Sequence, residues 1–296
     1  MRYSFYGETN VGKVRDHNED AFLTSDAHAF GMVSDGMGGL AAGEVASQIT
    51  KDSVNAAFEK ADSETALSRI VSNAITDANT NVRKAQKEKP EASGMGCTCV
   101  LLAFRKKEYV IGYVGDSRIY RYRDNQLHQL SVDHSYVEEL FQRGLISAEE
   151  KSTHPYKNSI TRYVGHEDTI KVDVSSGPLK SGDRFLLCSD GLHGEVTDTQ
   201  IASVLRDNMN PKDCVEILIK MALEHGGKDN VSVVVASVEN DLDEISSGQL
   251  SGEIVHKKNS KQKGLLQRFL GLFIDEEDEE DDKKENLKKP PTLDNK

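Results

Sequence analysis

Four aspartates of this chain stand where an apolar segment meets a loop. They are Asp35, Asp116, Asp190 and Asp229. Each lies at the edge of a run that is typical of a buried strand, and three have a glycine as neighbour. For a single aspartate of this kind, a turn or a helix cap is the ordinary explanation. Four together predict that the ends of several strands bring their carboxylates to one rim of a sheet.

Carboxylates gathered in this way would repel one another and raise each other's pKa. Hard divalent cations relieve that repulsion, because Mg²⁺ and Mn²⁺ favour carboxylate, carbonyl and water oxygens as ligands. A glycine follows Asp35, so the backbone can approach closely and the carbonyl of Gly36 can itself be a ligand. No cluster of cysteine and histidine competes in the sequence, which argues against zinc. The pattern therefore indicates a Mn²⁺ or Mg²⁺ site.

A second polar cluster precedes the apolar residues 21–23. It contains Arg15, Glu19 and Asp20. An arginine at the surface ordinarily forms a weak ion pair. Beside a cation site its planar guanidinium has a further use, because it matches two oxygens of a phosphate group.

The elements that must position these residues are visible as blocks of strand and helix pattern. Runs that predict strands are found at 29–34, 98–104, 109–114, 117–122, 184–188 and 231–238. Apolar residues spaced three and four apart from Leu67 to Val82 predict a helix, and another is predicted over 42–60. A third begins after the cap Asn210 and ends at Gly226. Runs of strands with helix pairs between them favour an α+β fold.

Composition limits the class of protein. The 296 residues carry a formal net charge of −12, which argues against nucleic acid as a partner because phosphate backbones require stripes of lysine and arginine. No apolar run approaches the roughly 20 residues of a membrane helix, and the N-terminus lacks the apolar segment of a secretory signal. The four cysteines are typical of buried structural thiols. We therefore expect a cytoplasmic location and no membrane association.

The character of the chain changes near residue 240. Residues 241–296 include eight consecutive acidic residues at 275–282 and are expected to form a mostly disordered tail. A short apolar segment lies within it at 264–274. This segment is a short helix that folds back or frays, a docking helix for a partner protein, or an interfacial membrane anchor. The acidic run disfavours an anionic membrane surface, so the functional hypothesis is protein docking.

Five short motifs in a fixed order connect the chain with a known family. They are Arg15-x-x-Asn18-Glu19-Asp20-Ala21, Ser34–Gly39, Gly115–Arg118, Ser189–Leu192 and Asp229-Asn230. Together with 133–135 and 161–165, which are similar to the flap region of the family, they give a resemblance over about residues 3–238. The chain resembles the PPM (type 2C) metal-dependent serine/threonine protein phosphatases in their bacterial form.

The resemblance implies a four-layer αββα fold, in which a central antiparallel β-sandwich is flanked by helix pairs, for a catalytic domain of residues 1–240. It also implies hydrolysis of phosphoserine and phosphothreonine in proteins by a water activated at a di-metal centre. No covalent enzyme intermediate is needed, so no nucleophilic cysteine is expected. The partners implied are phosphoproteins and a cognate serine/threonine kinase.

Particular residues take roles by the same resemblance. The metal ligands implied are Asp35, Gly36, Asp116, Asp190 and Asp229. Asp35 would bridge the two cations, the Gly36 carbonyl would bind one of them, and the last two aspartates would bind the other. Asp116 would help to bind a weaker third ion. Arg15 is the catalytic residue that would bind the substrate phosphate. The residues that orient waters and support the ligands are Glu19, Asp20 and Asn230.

Two positions depart from the family pattern. Met37 stands where the animal enzymes have a histidine that is a proposed general acid, and Leu40 stands where many bacterial members have a histidine. The donor of the leaving-group proton is thus open between His17, His134 and a cation-bound water. His193 has no predicted role.

Three functions follow from these observations. The first is a phosphatase that opposes a bacterial-type serine/threonine kinase, and the second is a relative dedicated to one phosphoserine regulator. The third is a pseudophosphatase that only binds phosphoproteins. Retention of Asp35, Asp190 and Asp229 favours catalysis, because a binding protein need not keep all three.

Overall fold

The structure, a computed structural model, describes residues 1–38, 42–88, 94–207 and 210–239. The predicted tail 241–296, with its apolar segment 264–274, lies outside the described residues. Gly39 and Leu40 of the second motif lie outside them as well.

Twelve strands and seven helices are formed by the described residues. The strands are β1 (Arg2–Asn10), β2 (Ala21–Ser25), β3 (Phe30–Ser34), β4 (Gly36–Met37), β5 (Gly96–Cys97), β6 (Cys99–Arg105), β7 (Glu108–Val114), β8 (Arg118–Arg123), β9 (Gln126–Gln129), β10 (Asp173–Pro178), β11 (Arg184–Cys188) and β12 (Val231–Glu239). The helices are α1 (Ala42–Lys60), α2 (Leu67–Glu88), α3 (Tyr136–Gln142), α4 (Ala148–Thr153), α5 (Asp190–His193), α6 (Asp198–Arg206) and α7 (Pro211–Glu224).

Two five-stranded antiparallel sheets form the centre. The first has the strand order β1-β12-β11-β8-β9, and the second has the order β10-β7-β6-β3-β2. Apolar side chains from both sheets, among them Phe5, Phe104, Phe185 and Val234, form the core between them. The short strands β4 and β5 pair separately, with Gly36 opposite Cys97.

Helices cover the outer face of each sheet. One face of α2 buries Leu67, Val71, Ala74 and Val82 in a core that also contains residues of β3, β6 and β7. On the other side α6 and α7 pack with β11, β8 and β12 in a second helix–sheet core. Asn210 caps α7 by accepting a hydrogen bond from the Asp213 backbone. This layering confirms the predicted α+β, four-layer αββα fold.

The predicted strands are all present, but several others were missed. β1, β9 and β10 are edge strands of their sheets. An edge strand has a neighbour on one side only and buries few side chains, as the mostly exposed β10 shows. Its sequence therefore lacks the apolar run that predicts a buried strand.

All four cysteines are free and buried, which confirms their interpretation as structural thiols. Cys97 and Cys99 point into the same core, as expected for strand residues two apart. Within the described ranges, no helix is both long and apolar enough to cross a membrane.

Candidate functional site

The predicted carboxylates come from the ends of strands in both sheets. Asp35 separates β3 from β4, and Asp116 lies in the loop between β7 and β8. Asp190 begins α5 directly after Ser189, and Asp229 lies two residues before β12. Because β11 has β12 on one side and β8 on the other, the loops at these strand ends are neighbours.

Electrostatic coupling shows that these side chains share one region. The pKa of Asp35 is raised well above its usual range, first by loss of hydration and then by the charges of Asp20, Asp190, Asp116 and Asp229. The Asp35 side chain keeps some exposed surface, but protein atoms replace most of the water around its carboxyl. The structure therefore brings together four predicted ligands and one predicted supporting residue.

The other carboxyls are affected in the same way. Burial, followed by the charges of Asp190 and Asp133, raises the pKa of Asp116 to about 7. Burial also raises the pKa of Asp20 to about 7, although hydrogen bonds from Ser232 and Ser189 oppose the rise. The pKa of Asp190 is raised by burial and by Asp229. Ionising all of these groups together is unfavourable without added positive charge.

One positive charge is supplied by Arg15. Its Nη2 donates a hydrogen bond of 2.7 Å to Oδ2 of Asp229, and the pair is partly open to solvent. The pairing raises the pKa of Arg15, chiefly through this hydrogen bond and the charge of Asp229. The guanidinium charge also opposes the rise in the pKa of Asp190. Arg15 thus lies at the rim of the carboxylate cluster.

Asn230 holds the loop that carries Arg15 against the start of β12. Its Nδ2 donates to the carbonyls of Val11 and His17, each at 2.9 Å. Its Oδ1 accepts a hydrogen bond of 2.8 Å from the backbone N–H of Glu19. The side chain is buried, and its amide binds backbone groups on both sides of Arg15. Asn230 is therefore placed to support the loop.

Asp20 is oriented by a serine of another motif. Ser189 Oγ donates a hydrogen bond of 2.8 Å to Asp20 Oδ2, and accepts one of 3.0 Å from the backbone N–H of Ser232. Asn18 Oδ1 accepts from the Asp20 backbone N–H at 3.1 Å. Asp20 is buried, so these contacts determine the direction of its carboxyl. The sequence analysis assigned no role to Ser189, and its position in the motif before Asp190 is the only signal.

Glycines allow the backbone segments of the site to touch. A Cβ at Gly36 would lie 2.3 Å from the carbonyl oxygen of Gly43 and 2.5 Å from that of Glu19. A Cβ at Gly191 would lie 2.1 Å from the carbonyl oxygen of Asn230. Both separations are shorter than any real contact, so only glycine fits at either position.

The donor chemistry of the site fits hard divalent cations. The clustered side chains offer oxygen atoms, and the raised pKa values mean that a bound cation would relieve an existing electrostatic cost. Within the part of the chain that the structure describes, no three aspartate, glutamate, histidine or cysteine side chains already close on a single ion position. The carboxyls share one region without forming a finished cage, and Asp229 is turned to Arg15.

Two histidines contact the segment that contains Asp116. His134 Nδ1 accepts a hydrogen bond of 3.0 Å from the backbone N–H of Gly115, so its proton is on Nε2, 2.9 Å from Asp173 Oδ2. Burial lowers the pKa of His134. His193 Nε2 lies 3.2 Å from the carbonyl oxygen of Asp116, and burial and the charge of Arg118 lower its pKa to about 3. Both rings are neutral at pH 7.

A cleft of about 510 Å³ opens on the far side of His134. Its lining includes residues of both predicted flap segments, namely Asp133, His134, Thr161, Arg162 and Tyr163. The two segments are joined by a hydrogen bond of 2.8 Å from the Thr161 backbone N–H to the His134 carbonyl. His17, by contrast, is exposed on the loop that contains Arg15.

Known proteins share this fold and sequence. The chain is 35% identical over 233 residues to the serine/threonine phosphatase stp of Listeria welshimeri, which covers 77% of this chain and 92% of that protein. The crystal structure of the Mycobacterium tuberculosis serine/threonine phosphatase PstP/Ppp superposes with a TM-score of 0.76 at 33% identity, covering 81% of this chain and 100% of that one.

A second solved structure bears on the metal. It is the catalytic domain of serine threonine protein phosphatase PstP in complex with two manganese ions, with a TM-score of 0.74 and 32% identity. The alignment covers 80% of this chain and 99% of that one. Residues 12–230 of this chain match the family described as Protein phosphatase 2C, and the match includes every predicted site residue. The chain therefore belongs to the protein phosphatase 2C family.

Proposed function

We propose that this chain hydrolyses phosphoserine and phosphothreonine in proteins in a metal-dependent reaction, and that it opposes a serine/threonine kinase of bacterial type. The observation that carries the proposal is the meeting of Asp20, Asp35, Asp116, Asp190 and Asp229 in one region, with Arg15 at its rim. The relatives named as serine/threonine phosphatases support the same reaction.

The cofactor proposed is Mn²⁺ or Mg²⁺, with two ions in each site and a weaker third. Asp35 would bridge the first two ions, the Gly36 carbonyl would bind one, and Asp190 and Asp229 would bind the other. Asp116 would serve the third. The oxygen donors and the raised pKa values of Asp35, Asp116 and Asp190 support this assignment, as do the two manganese ions of the similar PstP structure.

When bound, the cations supply positive charge and a water of lowered pKa that acts as the nucleophile. Arg15 binds oxygens of the substrate phosphate through its planar guanidinium, which becomes free for this when Asp229 turns to a cation. Asp20, held by Ser189 Oγ, orients the attacking water and is able to hold its proton on a carboxyl oxygen, because its pKa is about 7. Asn230 and Glu19 keep the loop of Arg15 in place.

The leaving serine or threonine oxygen requires a proton. His134 has both ring nitrogens engaged inside the protein, with Gly115 and with Asp173. This leaves His17, which is exposed beside Arg15, or a water as the proposed donor. The four cysteines are buried in cores away from the carboxylates, which supports hydrolysis without a thiol intermediate.

The wider setting is also a proposal. Four free and buried cysteines are typical of a reducing compartment, which favours the cytoplasm. We propose residues 1–240 as the catalytic domain and 241–296 as a tail whose segment 264–274 docks a partner protein. Deletion of 241–296 should then change partner capture while hydrolysis of a small substrate is kept.

A direct assay tests the function. Wild-type protein, Asp190→Ala and Asp77→Ala are compared for hydrolysis of p-nitrophenyl phosphate and of phosphothreonine peptides, with Mn²⁺ and with excess chelator. Asp77 lies on the exposed face of α2 and controls for the loss of an acidic residue as such. We expect activity only with metal, and only in the wild type and Asp77→Ala. Good phosphopeptide binding by an inactive wild type would favour the pseudophosphatase instead.

A further inference from the structure

Thr98 binds both backbone polar groups of Asp35. It is fully buried between β5 and β6. Its backbone N–H donates a hydrogen bond of 2.8 Å to the Asp35 carbonyl, and its Oγ1 accepts one of 2.9 Å from the Asp35 N–H. Ser34 Oγ donates to the Thr98 carbonyl at 2.7 Å. The direction in which the Asp35 side chain leaves the backbone is thus set from one residue.

The same hydroxyl reaches the segment that contains Asp116. Thr98 Oγ1 lies 2.7 Å from Oγ of Ser117, which is itself buried. Gly115 has a φ of +106° and packs directly on Thr98, since a Cβ at Gly115 would lie 2.6 Å from Thr98 Cβ. One hydroxyl therefore joins the Asp35 peptide of one segment to the residue after Asp116 in another.

A buried threonine is often only a packing residue whose hydroxyl finds any available partner. Thr50 is an example, because its Oγ1 lies 3.0 Å from Cys97 Sγ within the helix–sheet core. Thr98 differs because the partners of its hydroxyl flank two carboxylates of the site. Loss of this hydroxyl would leave the Asp35 N–H and Ser117 Oγ without it, and both groups are inside the protein.

We propose that Thr98 is a positioning residue whose hydroxyl fixes the spacing between Asp35 and Asp116, and so determines how tightly the site binds divalent cations. This inference rests on the proposed function of the site. Groups that orient ligands from behind commonly change metal affinity by about 10–100-fold when they are lost. Thr98 does not contact the substrate, so its effect on the reaction is exerted through the carboxylates.

Two substitutions separate the hydroxyl from the shape of the side chain. Thr98→Val keeps the branched shape and removes the hydroxyl, whereas Thr98→Ser keeps the hydroxyl and removes a methyl group. Thr50→Val makes the same change at a buried threonine that does not contact the carboxylate segments. Binding of Mn²⁺ to the metal-free, full-length proteins is measured by titration calorimetry, and folding is followed by circular dichroism and thermal melting.

We expect Thr98→Val to bind Mn²⁺ at least about 10-fold more weakly than the wild type. Thr98→Ser and Thr50→Val should stay within about 3-fold of it, on the same reasoning. In kinetic assays, Thr98→Val should regain activity at high Mn²⁺ with little change in the KM for the phosphopeptide. A purely structural role would lower the melting temperature without this dependence on metal concentration.

The inference is overturned if folded Thr98→Val binds Mn²⁺ like the wild type, or if Thr98→Ser is as weak as Thr98→Val. Should Thr98→Val fail to fold, Ser117→Ala decides, because it removes only the link to the Asp116 segment. Weaker Mn²⁺ binding by that variant supports the inference, and unchanged binding overturns it. If the wild type itself does not bind Mn²⁺, the proposed function fails, which is a different result.

Discussion

Arg15 and Asp229 are paired although 214 positions separate them in the chain, with Arg15 Nη2 2.7 Å from Asp229 Oδ2. One partner is the residue proposed to bind phosphate, and the other is a proposed metal ligand. The pair is partly exposed, and an exposed ion pair contributes little to stability. Its consequence is instead for function, because a cation on Asp229 would leave the guanidinium available to a phosphate.

Substitution of Arg15 should weaken the reaction with phosphoproteins more than metal binding. Arg15→Ala loses charge-assisted hydrogen bonds to the phosphate, each contributing about 1.5–3 kcal/mol, so kcat/KM should fall about 10–150-fold. Arg15→Lys should recover part of this, because it keeps the charge but not the planar fork. Kinetics with a phosphothreonine peptide measure both. Arg69→Ala, on the exposed face of α2, is the control. Equal kcat/KM for Arg15→Ala and wild type would contradict the assigned role.

Removal of the Asp35 charge should have opposite effects without and with metal. The raised pKa of Asp35 indicates that its ionisation is costly in the metal-free fold. Asp35→Asn should therefore melt at a higher temperature than metal-free wild type at pH 7.5. The wild type should gain about 2.7 kcal/mol at a Mn²⁺ concentration 100-fold above its dissociation constant, and lose this gain with chelator.

Asp35→Asn should show little stabilisation by Mn²⁺ in the same thermal melts. Asp77→Asn, outside the carboxylate cluster, should behave like the wild type with and without metal. A Mn²⁺-induced shift of full size in Asp35→Asn would show that this carboxyl does not bind the ion.

His193 should make the fold sensitive to mild acid. The imidazole of an unfolded chain takes up a proton near pH 6.5, whereas burial and Arg118 lower the pKa of His193 in the fold to about 3. Between these values the unfolded state binds a proton that the folded state does not, so a falling pH destabilises the fold. His193→Gln keeps a donor for the Asp116 carbonyl and removes the titration.

Urea unfolding at pH 7.5 and pH 5.0 measures this contribution. The wild type should lose ~1–2 kcal/mol more than His193→Gln over this interval, since one pKa unit corresponds to about 1.4 kcal/mol and the ring keeps a small exposed surface. The carboxyls and His134 titrate in both proteins, so their contributions cancel in the difference. Parallel pH dependence in the two proteins would exclude His193 as the cause.

Gly191 should not tolerate a side chain. Its Cβ would lie 2.1 Å from the Asn230 carbonyl, so Gly191→Ala must push the start of α5 away from the segment of Asp229. We expect a loss of stability of roughly 2 kcal/mol or more, and Mn²⁺ binding weakened because Asp190 and Asp229 separate. Gly182→Ala is the control, because Gly182 has a positive φ but open space around it. If both variants kept wild-type Mn²⁺ affinity, the close approach would not matter for the site.

The sequence predicted the elements that bury their side chains. The apolar spacing of Leu67 to Val82 corresponds to the buried face of α2, and the cap Asn210 marks the start of α7. The edge strands β1 and β10 escaped prediction because one of their two sides has no partner strand. The pattern of a buried element is imposed by its surroundings, and an edge strand has fewer of them.

The sequence by itself determined the chemistry that is available here. Asp35, Asp190 and Asp229 beside glycines indicate oxygen ligands and close backbone approach, whatever the path of the chain between them. Only the tertiary structure decided which groups control those ligands. Thr98 acts on Asp35 across 63 positions, and Ser189 on Asp20 across 169. A local pattern can predict that a strand ends in a carboxylate, but the neighbours of that carboxylate depend on how strands distant in sequence pair and pack.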